Sequence, residues 1–237
     1  MSDLVFIISA PSGSGKSTLV GRILSLVPGL DFSVSYTTRR PRGSESNGRE
    51  YYYVNRETFE QMISEGAFLE HADVFGNYYG TAKRFVDEAH ARGRDLLLDI
   101  DVQGAAQVRK ALPQKMRVSI FVLPPNRDEL ERRLKLRSSA ENVRDQEIIQ
   151  RRLKTASREI EDYREYDYIL VNDDLERSTE ALRAIILTER RKHAGGEPTA
   201  QEREMKELAD ARQLVNVHDR IQPILASFAP ESTAIRK

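Results

Sequence analysis

The chain contains no cysteine among its 237 residues, which excludes disulfides and thiolate metal sites. It also has no excess of either charge, since Lys+Arg and Asp+Glu both total 37. Bulk electrostatic attraction to nucleic acid or to an anionic membrane is therefore not expected, while local basic clusters stay open. No stretch approaches the ~18–20 apolar residues of a membrane span. The N-terminus lacks the basic segment of a secretory signal, and no internal repeat is present. The expectation is a soluble cytosolic protein with a core of ordinary size, either one large domain or one domain with appendages.

What the sequence does have is concentrated early, in LVFIISAPSGSGKSTL from Leu4 to Leu19. Leu4 to Ile8 is an unbroken apolar run that suits a strand buried on both faces. Small residues follow, and from Ser17 the apolar positions Leu19, Ile23 and Leu26 recur at helical spacing. Strand, glycine loop and helix closing on Gly15-Lys16-Ser17 form a phosphate-binding loop. Gly13 and Gly15 let backbone N–H groups turn toward an anion, and the helix N-terminus adds free donors and partial positive charge. Lys16 can reach the terminal phosphates of ATP and the Ser17 hydroxyl can ligate Mg²⁺. The loop departs from the GxxxxGK[ST] pattern at its first position, Ala10, a residue small enough to keep the turn. Ala10, Pro11, Ser12, Gly13, Ser14, Gly15, Lys16, Ser17 and Thr18 are the candidate ATP-binding residues.

Downstream, the pattern predicts strands at Phe32 to Tyr36 and Glu50 to Val54, a helix from Arg56 to Glu65, and a strand from Phe68 to Phe75 followed by hairpin chemistry at Gly76-Asn77. Helix, strand and helix are expected at Ala82 to Arg92, Asp95 to Ile100 and Val102 to Ala111. A strand at Arg117 to Leu123 leads to a helix capped by Asn126, with Leu130 and Leu134 facing inward. Tyr168 to Val171 is the last strand and Leu175 to Lys192 the last core helix. This alternation predicts an α/β fold with a parallel sheet and ligands at the strand C-termini. Gly195 to Pro198 reads as a linker, and Thr199 to Gln222 as one further helix stopped by Pro223, before a frayed end. That extension can dock on the core, mediate self-association (monomer or homo-oligomer) or bind a partner.

Several clusters point to a second substrate. Ser35-Tyr36-Thr37-Thr38-Arg39-Arg40-Pro41-Arg42 is either a solvated charge run or a second phosphate site of the bidentate kind, with the Tyr51 phenol close by in sequence. Gly76 to Thr81 is either a plain aromatic hairpin or a turn presenting Tyr79 and Thr81. Asp99 and Asp101 share one face at a strand C-terminus, where they either cap structure or serve Mg²⁺ and an orienting acceptor.

Taken in order, APSGSGKST, SVSYTTRRPR, NGREYYYV, GNYYGT, LLLDIDVQG and YILVNDDL resemble guanylate kinase over residues 3 to 192. The resemblance implies the reaction ATP + GMP ⇌ ADP + GDP on a P-loop NTPase core (1–30, 82–125, 164–194), with a small strand-rich GMP-binding region (31–81) and a helical lid (126–163). Residues 195–237 are then the linker and an extra C-terminal helix. It implies that Arg39, Arg42, Tyr51 and Tyr79 hold the GMP phosphate while Ser35, Glu70, Thr81 and Asp101 read guanine, Thr81 standing where the family often has serine. Arg133, Arg137 and Arg152 match its catalytic lid arginines, although the stretch between Arg137 and Arg152, which also holds Arg144 and Arg151, is longer than the family pattern. Asn172 matches an adenine contact, and Asp99 an outer-shell partner of Mg²⁺.

Guanine chemistry agrees with that assignment, because its N1–H and N2–H₂ donors suit one carboxylate and hydroxyls suit O6 and N7. The acceptor phosphate, with a second pKa of about 6, needs no general base, so none of the four histidines, His71 included, is required. The obstacle is the approach of two anions, which asks for Lys16, Arg39 and the lid arginines together. Two alternatives remain at this level: a kinase of the same shape acting on another phosphorylated acceptor, or a non-catalytic guanylate-kinase-like protein-binding domain.

Overall fold

The structure, a computed structural model, describes residues 3–74, 76–140 and 146–229, without the side chains of 137–140 and 146. Five strands, β1 (Val5–Ser9), β2 (Leu30–Phe32), β7 (Asp95–Asp99), β8 (Arg117–Leu123) and β9 (Tyr168–Val171), form one sheet in the order β2-β7-β1-β8-β9. Every pairing in it is parallel. Alternate residues of β1 feed opposite cores: Val5 and Ile7 pack with Leu96, Leu98 and Phe121, whereas Phe6 and Ile8 pack with Leu97, Ile120 and Leu170. A sheet clothed on both faces tolerates no polar side, which is why these strands read as continuous apolar runs.

Helices α1 (Lys16–Leu26) and α7 (Leu175–Ala194) cover one face. The other face receives α3 (Arg84–Ala91), α4 (Val102–Ala111), α5 (Arg127–Ala140) and α6 (Gln146–Glu161). The expected α/β fold with a parallel sheet is therefore present. A second, four-stranded sheet of order β4-β3-β6-β5 is built from β3 (Tyr36–Thr37), β4 (Tyr52–Tyr53), β5 (Phe68–Val74) and β6 (Asn77–Ala82), with α2 (Arg56–Ser64) beside it. Phe59 of α2 stacks on Phe68 at 4.4 Å between ring centroids.

Three expectations are corrected. The strand drawn over Phe32 to Tyr36 is two strands in different sheets. Ser33 still donates to Leu97 O (3.1 Å), but Ser35 O already accepts from Tyr52 N–H (2.9 Å), so the chain changes partners between them. The strand expected at Glu50 to Val54 is reduced to Tyr52–Tyr53. The single C-terminal helix is α8 (Ala200–Asp210) and α9 (Leu214–Phe228), and Pro223 lies inside α9 rather than ending it. The break falls where the edge strand β9 needs partners: Ile169 N–H donates to Arg212 O (2.8 Å) and Leu214 N–H to Asp167 O (3.1 Å). Pro223 removes one helical donor, but it and Asp219, whose carbonyl loses that bond, are both exposed to water. The opposite face, with Val217, Ile221 and Phe228 buried, docks on the core cluster of β8, α5 and α6. Of the end read as frayed, 230–237 lie outside the described residues.

Candidate active site

The loop after β1 turns at Gly13 (φ 93°) and Gly15 (φ 88°), values that L side chains rarely adopt. At Gly15 space is also short, because a Cβ there would lie 2.4 Å from Asn172 Nδ2. Ala10 needs no such freedom and adds its methyl to the core cluster around Leu19 and Ile120. Asn172, from the end of β9, donates to Ser14 O (2.7 Å), and Arg133 of α5 donates to Ser14 O (3.3 Å) and Asn172 O (3.0 Å). These bonds fix the Ser14 carbonyl, while two N–H groups of the loop are engaged within the protein, Ser14 on Pro11 O (3.1 Å) and Ser12 on Glu159. Ser14 Oγ is buried and has no hydrogen-bond partner among the described residues.

Lys16 turns from the loop to the end of β7, where Nζ meets Asp99 Oδ1 at 2.5 Å and Ile100 O at 2.8 Å. From there a cleft of about 820 Å³ runs to the small sheet, lined by Lys16, Ser17, Ser35, Arg39, Arg42, Tyr51, Glu70, Tyr79, Asp99 and Asp101. Ten of the sequence-nominated residues are thus brought to one cavity. Thr81, fully buried, stands behind Glu70, with Ser35 Oγ 3.3 Å from its hydroxyl.

At the sheet end, Arg39 makes two bonds to Glu45, at 2.9 and 3.0 Å, and its guanidinium lies 5.3 Å from the centre of the Tyr51 ring. Burial works against the Arg39 charge, yet the Glu45 and Tyr79 contacts outweigh it and its pKa ends above the ordinary arginine value. Glu45 also accepts from Arg42 N–H (2.7 Å) and the Tyr53 hydroxyl (2.8 Å). Chiefly through Arg39, its carboxyl is held down at about 2. Burial pushes the Tyr51 phenol up to about 12, so it is a proton donor throughout the physiological range. One carboxylate, Glu45, is thus held by the Arg39 guanidinium, the Arg42 N–H and the Tyr53 hydroxyl, donors of the kind that suit a phosphate, in the cleft that Tyr51 and Tyr79 also line.

Glu70 is only 4% exposed. Burial pushes its carboxyl up to about 7, against a lowering by the Thr81 hydroxyl and with a further rise from Asp101. Asp101 caps α4, accepting from Gly104 N–H at 2.8 Å. Two acceptors and two hydroxyls thus converge in one corner, a constellation that fits a ring edge with adjacent N–H donors.

Of the lid arginines, Arg133 is tied to Glu129 Oε1 (2.7 Å) and the loop carbonyls. The Arg137 side chain lies outside the described residues, as does Arg144. Arg152 sits half-buried on α6 and Arg151 exposed beside it; neither lines the cleft. Sequence reasoning missed Glu45, three residues after Arg42, and Glu159 of α6. Glu159 accepts from Ser12 N–H in the phosphate loop, and burial, with the Asp101 charge next, pushes its carboxyl up to about 7. His71 is held through its backbone by Gln107 (3.1 and 2.7 Å) and does not line the cleft.

Comparison with known proteins bears on the whole arrangement. The family model for guanylate kinase matches residues 3–189. A guanylate kinase of Koribacter versatilis is 56% identical, covering 96% of this chain and 97% of the relative. One of Escherichia coli is 47% identical, covering 78% and 88%. The crystal structure of guanylate kinase from Anaplasma phagocytophilum superposes with a TM-score of 0.65 at 32% identity, covering 87% of this chain and 95% of that one. The docked α8–α9 extension lies beyond the family match, yet the Koribacter relative is matched along almost the whole chain.

Proposed function

The chain belongs to the guanylate kinase family and phosphorylates GMP with ATP, and we propose that the cleft between the phosphate loop and the small sheet carries out that transfer with the following division of labour. Residues 1–30, 82–125 and 164–194 act as the nucleotide core, 31–81 as the GMP-binding region and 126–163 as the lid. Ala10 to Thr18 cradle the ATP phosphates through backbone N–H groups and the N-terminus of α1. Lys16, released from Asp99 when the triphosphate arrives, neutralises the transferring phosphoryl. Asn172, already fixed on Ser14 O, lies toward the adenine side. Arg39, Arg42, Tyr51 and Tyr79 take the GMP phosphate, which displaces Glu45 from Arg39.

Glu70 supports the choice of guanine. An acid this deeply buried, with Thr81, Ser35 and Asp101 beside it, is matched by a ligand that offers paired N–H donors; adenine would leave it unpaired. Because the acceptor is already an anion, no proton need be removed, and the work of the site is positioning and charge neutralisation. Arg133, Arg137 and Arg152 supply the remaining positive charge as the lid folds over and excludes water.

Mg²⁺ fits the donor set here. The Ser17 hydroxyl and the Asp99 carboxylate line the same cleft, and among the described residues no cluster of three His, Cys, Asp or Glu forms a cage of its own. That poverty of protein ligands suits an ion carried in on phosphate oxygens and water, with Asp99 holding its waters. Bound there, the ion would draw charge from the phosphates in flight. Purine nucleotide metabolism in the cytoplasm is the setting consistent with this reading; no helix among the described residues is long and apolar enough to cross a membrane.

The observation that carries the assignment is the placement of buried Glu70 and anion-gripping Lys16 in one cavity. A coupled assay with ATP, Mg²⁺ and a panel of GMP, AMP and other phosphorylated acceptors tests it. Turnover of GMP far above AMP is expected; comparable turnover of the two would refute the reading of Glu70.

A further inference from the structure

Gly104 occupies the first turn of α4, where its N–H donates to Asp101 Oδ1 at 2.8 Å. Its backbone is ordinary helix, outside the left-handed region, and glycine in such a position is destabilising relative to alanine. Conformation therefore gives no reason for a glycine. Space does. A Cβ at this position would lie 2.4 Å from Glu70 Oε2 and 2.9 Å from Glu70 Cδ. Both are well inside van der Waals contact, so something must move.

The surroundings decide what moves. Behind Glu70 stands fully buried Thr81, its partner across the β5–β6 ladder. One turn along α4, Gln107 exchanges two hydrogen bonds with the His71 backbone, at 3.1 and 2.7 Å. Those bonds set the distance between α4 and β5, so the strand cannot back away without breaking them. The backbone on both sides is held, and the carboxylate is the free end of a side chain. An added methyl would expel the carboxylate and leave the fold standing.

We propose that Gly104 is a specificity-positioning residue: its missing side chain is the space in which the Glu70 carboxylate is seated for guanine, and its N–H orients the Asp101 carboxylate beside it. One glycine thus sets both acidic acceptors of the base pocket. The proposal rests on the reading of Glu70 given above. Its chemical consequence concerns the 2-amino group. A seated carboxylate accepts from N1–H and N2–H₂ together, while IMP, which lacks the 2-amino group, offers only one of those donors.

The test is a four-member cycle in the full chain: the parent protein, Gly104→Ala, Glu70→Ala and the double variant, each assayed with GMP, IMP and ATP. Gly104→Ala is expected to raise the KM for GMP about tenfold or more and to shrink the preference of GMP over IMP, with the KM for ATP unchanged. In the Glu70→Ala background, where the clash is gone, the same substitution is expected to add nothing, which is the non-additivity of residues in contact. Should Gly104→Ala melt near the assay temperature, thermal denaturation of the four proteins reads the same coupling: the double variant regains the stability that the single one loses. An equal effect of Gly104→Ala in both backgrounds, a matching rise in the KM for ATP, or an unchanged GMP preference would overturn the proposal. A parent protein that fails to prefer GMP over AMP would instead overturn the underlying reading of Glu70.

Discussion

On the proposed division of labour, the two ends of the cleft grip their ligands by opposite means. At the phosphate-loop end the backbone does the holding: N–H groups of a loop whose Ser14 carbonyl is fixed by Asn172 and Arg133, and the start of α1. The side chains there are parked on the protein itself, Lys16 on Asp99 and Arg133 on Glu129. At the small-sheet end the side chains do everything. Arg39, Tyr51, Tyr79 and Glu70 come from separate loops and strands of the sheet in which β3 pairs with β6 and β6 with β5. A triphosphate is shared by every nucleotide of its kind, so a generic backbone cradle suffices; a base must be told from its neighbours, and that requires placed polar groups left unpaired by the wrong one.

If the ends differ in this way, lesions in them should fail differently. The largest effect is expected from Lys16→Ala, which should lower kcat by about 10²-fold or more while GMP affinity stays close to the parent value. Stopped-flow or steady-state kinetics with a GMP binding titration checks both; retention of more than about a tenth of kcat would contradict the role of an electrostatic group of that size. Next comes Glu70→Gln, which should forfeit most of the roughly 10⁴-fold discrimination that a hydrogen-bonding pocket sustains against an analogue lacking the right donors, with the KM for ATP unmoved.

A smaller effect sharpens the contrast through pH. The free Glu70 carboxyl is raised to about 7, and the ionised form is the acceptor proposed for guanine. Affinity for guanosine, which lacks the titrating phosphate, should therefore rise as pH goes from 5.5 to 8 and stay flat in Glu70→Gln. Stability runs the other way. A carboxyl whose pKa is raised by folding contributes stability that is present below its unfolded value and lost as pH climbs through the folded one. Glu70 and Glu159 share this direction, so the Tm of the ligand-free protein should fall between pH 5.5 and 8, and less so in Glu70→Gln. Glu45 and Glu129, both held near 2, are ionised throughout that window and do not offset it. The smallest effect on activity is expected from Ile221→Ala in the docked extension. Fully buried Ile221 should cost about 2–5 kcal/mol of stability, read by denaturant melts, with the kinetic constants of both substrates intact.

The same contrast explains what could be read from residue order alone. The phosphate loop is local: strand, glycines, Lys16 and helix follow one another, and each has a chemical signature. The parallel sheet was legible for a similar reason, since strands clothed on both faces announce themselves as apolar runs. The small sheet was not. Phe32 to Tyr36 keeps its pattern while the chain leaves one sheet for the other, and hydrophobic period reports a strand but not its partner. Pro223 misled because the helix runs on through it: the bond it removes is lost on a face where Asp219 and Pro223 are both exposed to water, while the opposite face stays docked. Glu159 meets Ser12 across more of the chain than any motif spans, and Gly104 works through an atom it does not have.

In the proposed division the base is read chiefly by Glu70 at one end, while the triphosphate is held independently at the other. Calorimetric titration of GMP and of a non-hydrolysable ATP analogue into Glu70→Gln tests that separation most directly. GMP affinity reduced about 100-fold, with the ATP analogue bound as in the parent protein, is the predicted result; GMP bound as tightly as before, or both ligands weakened together, would contradict it.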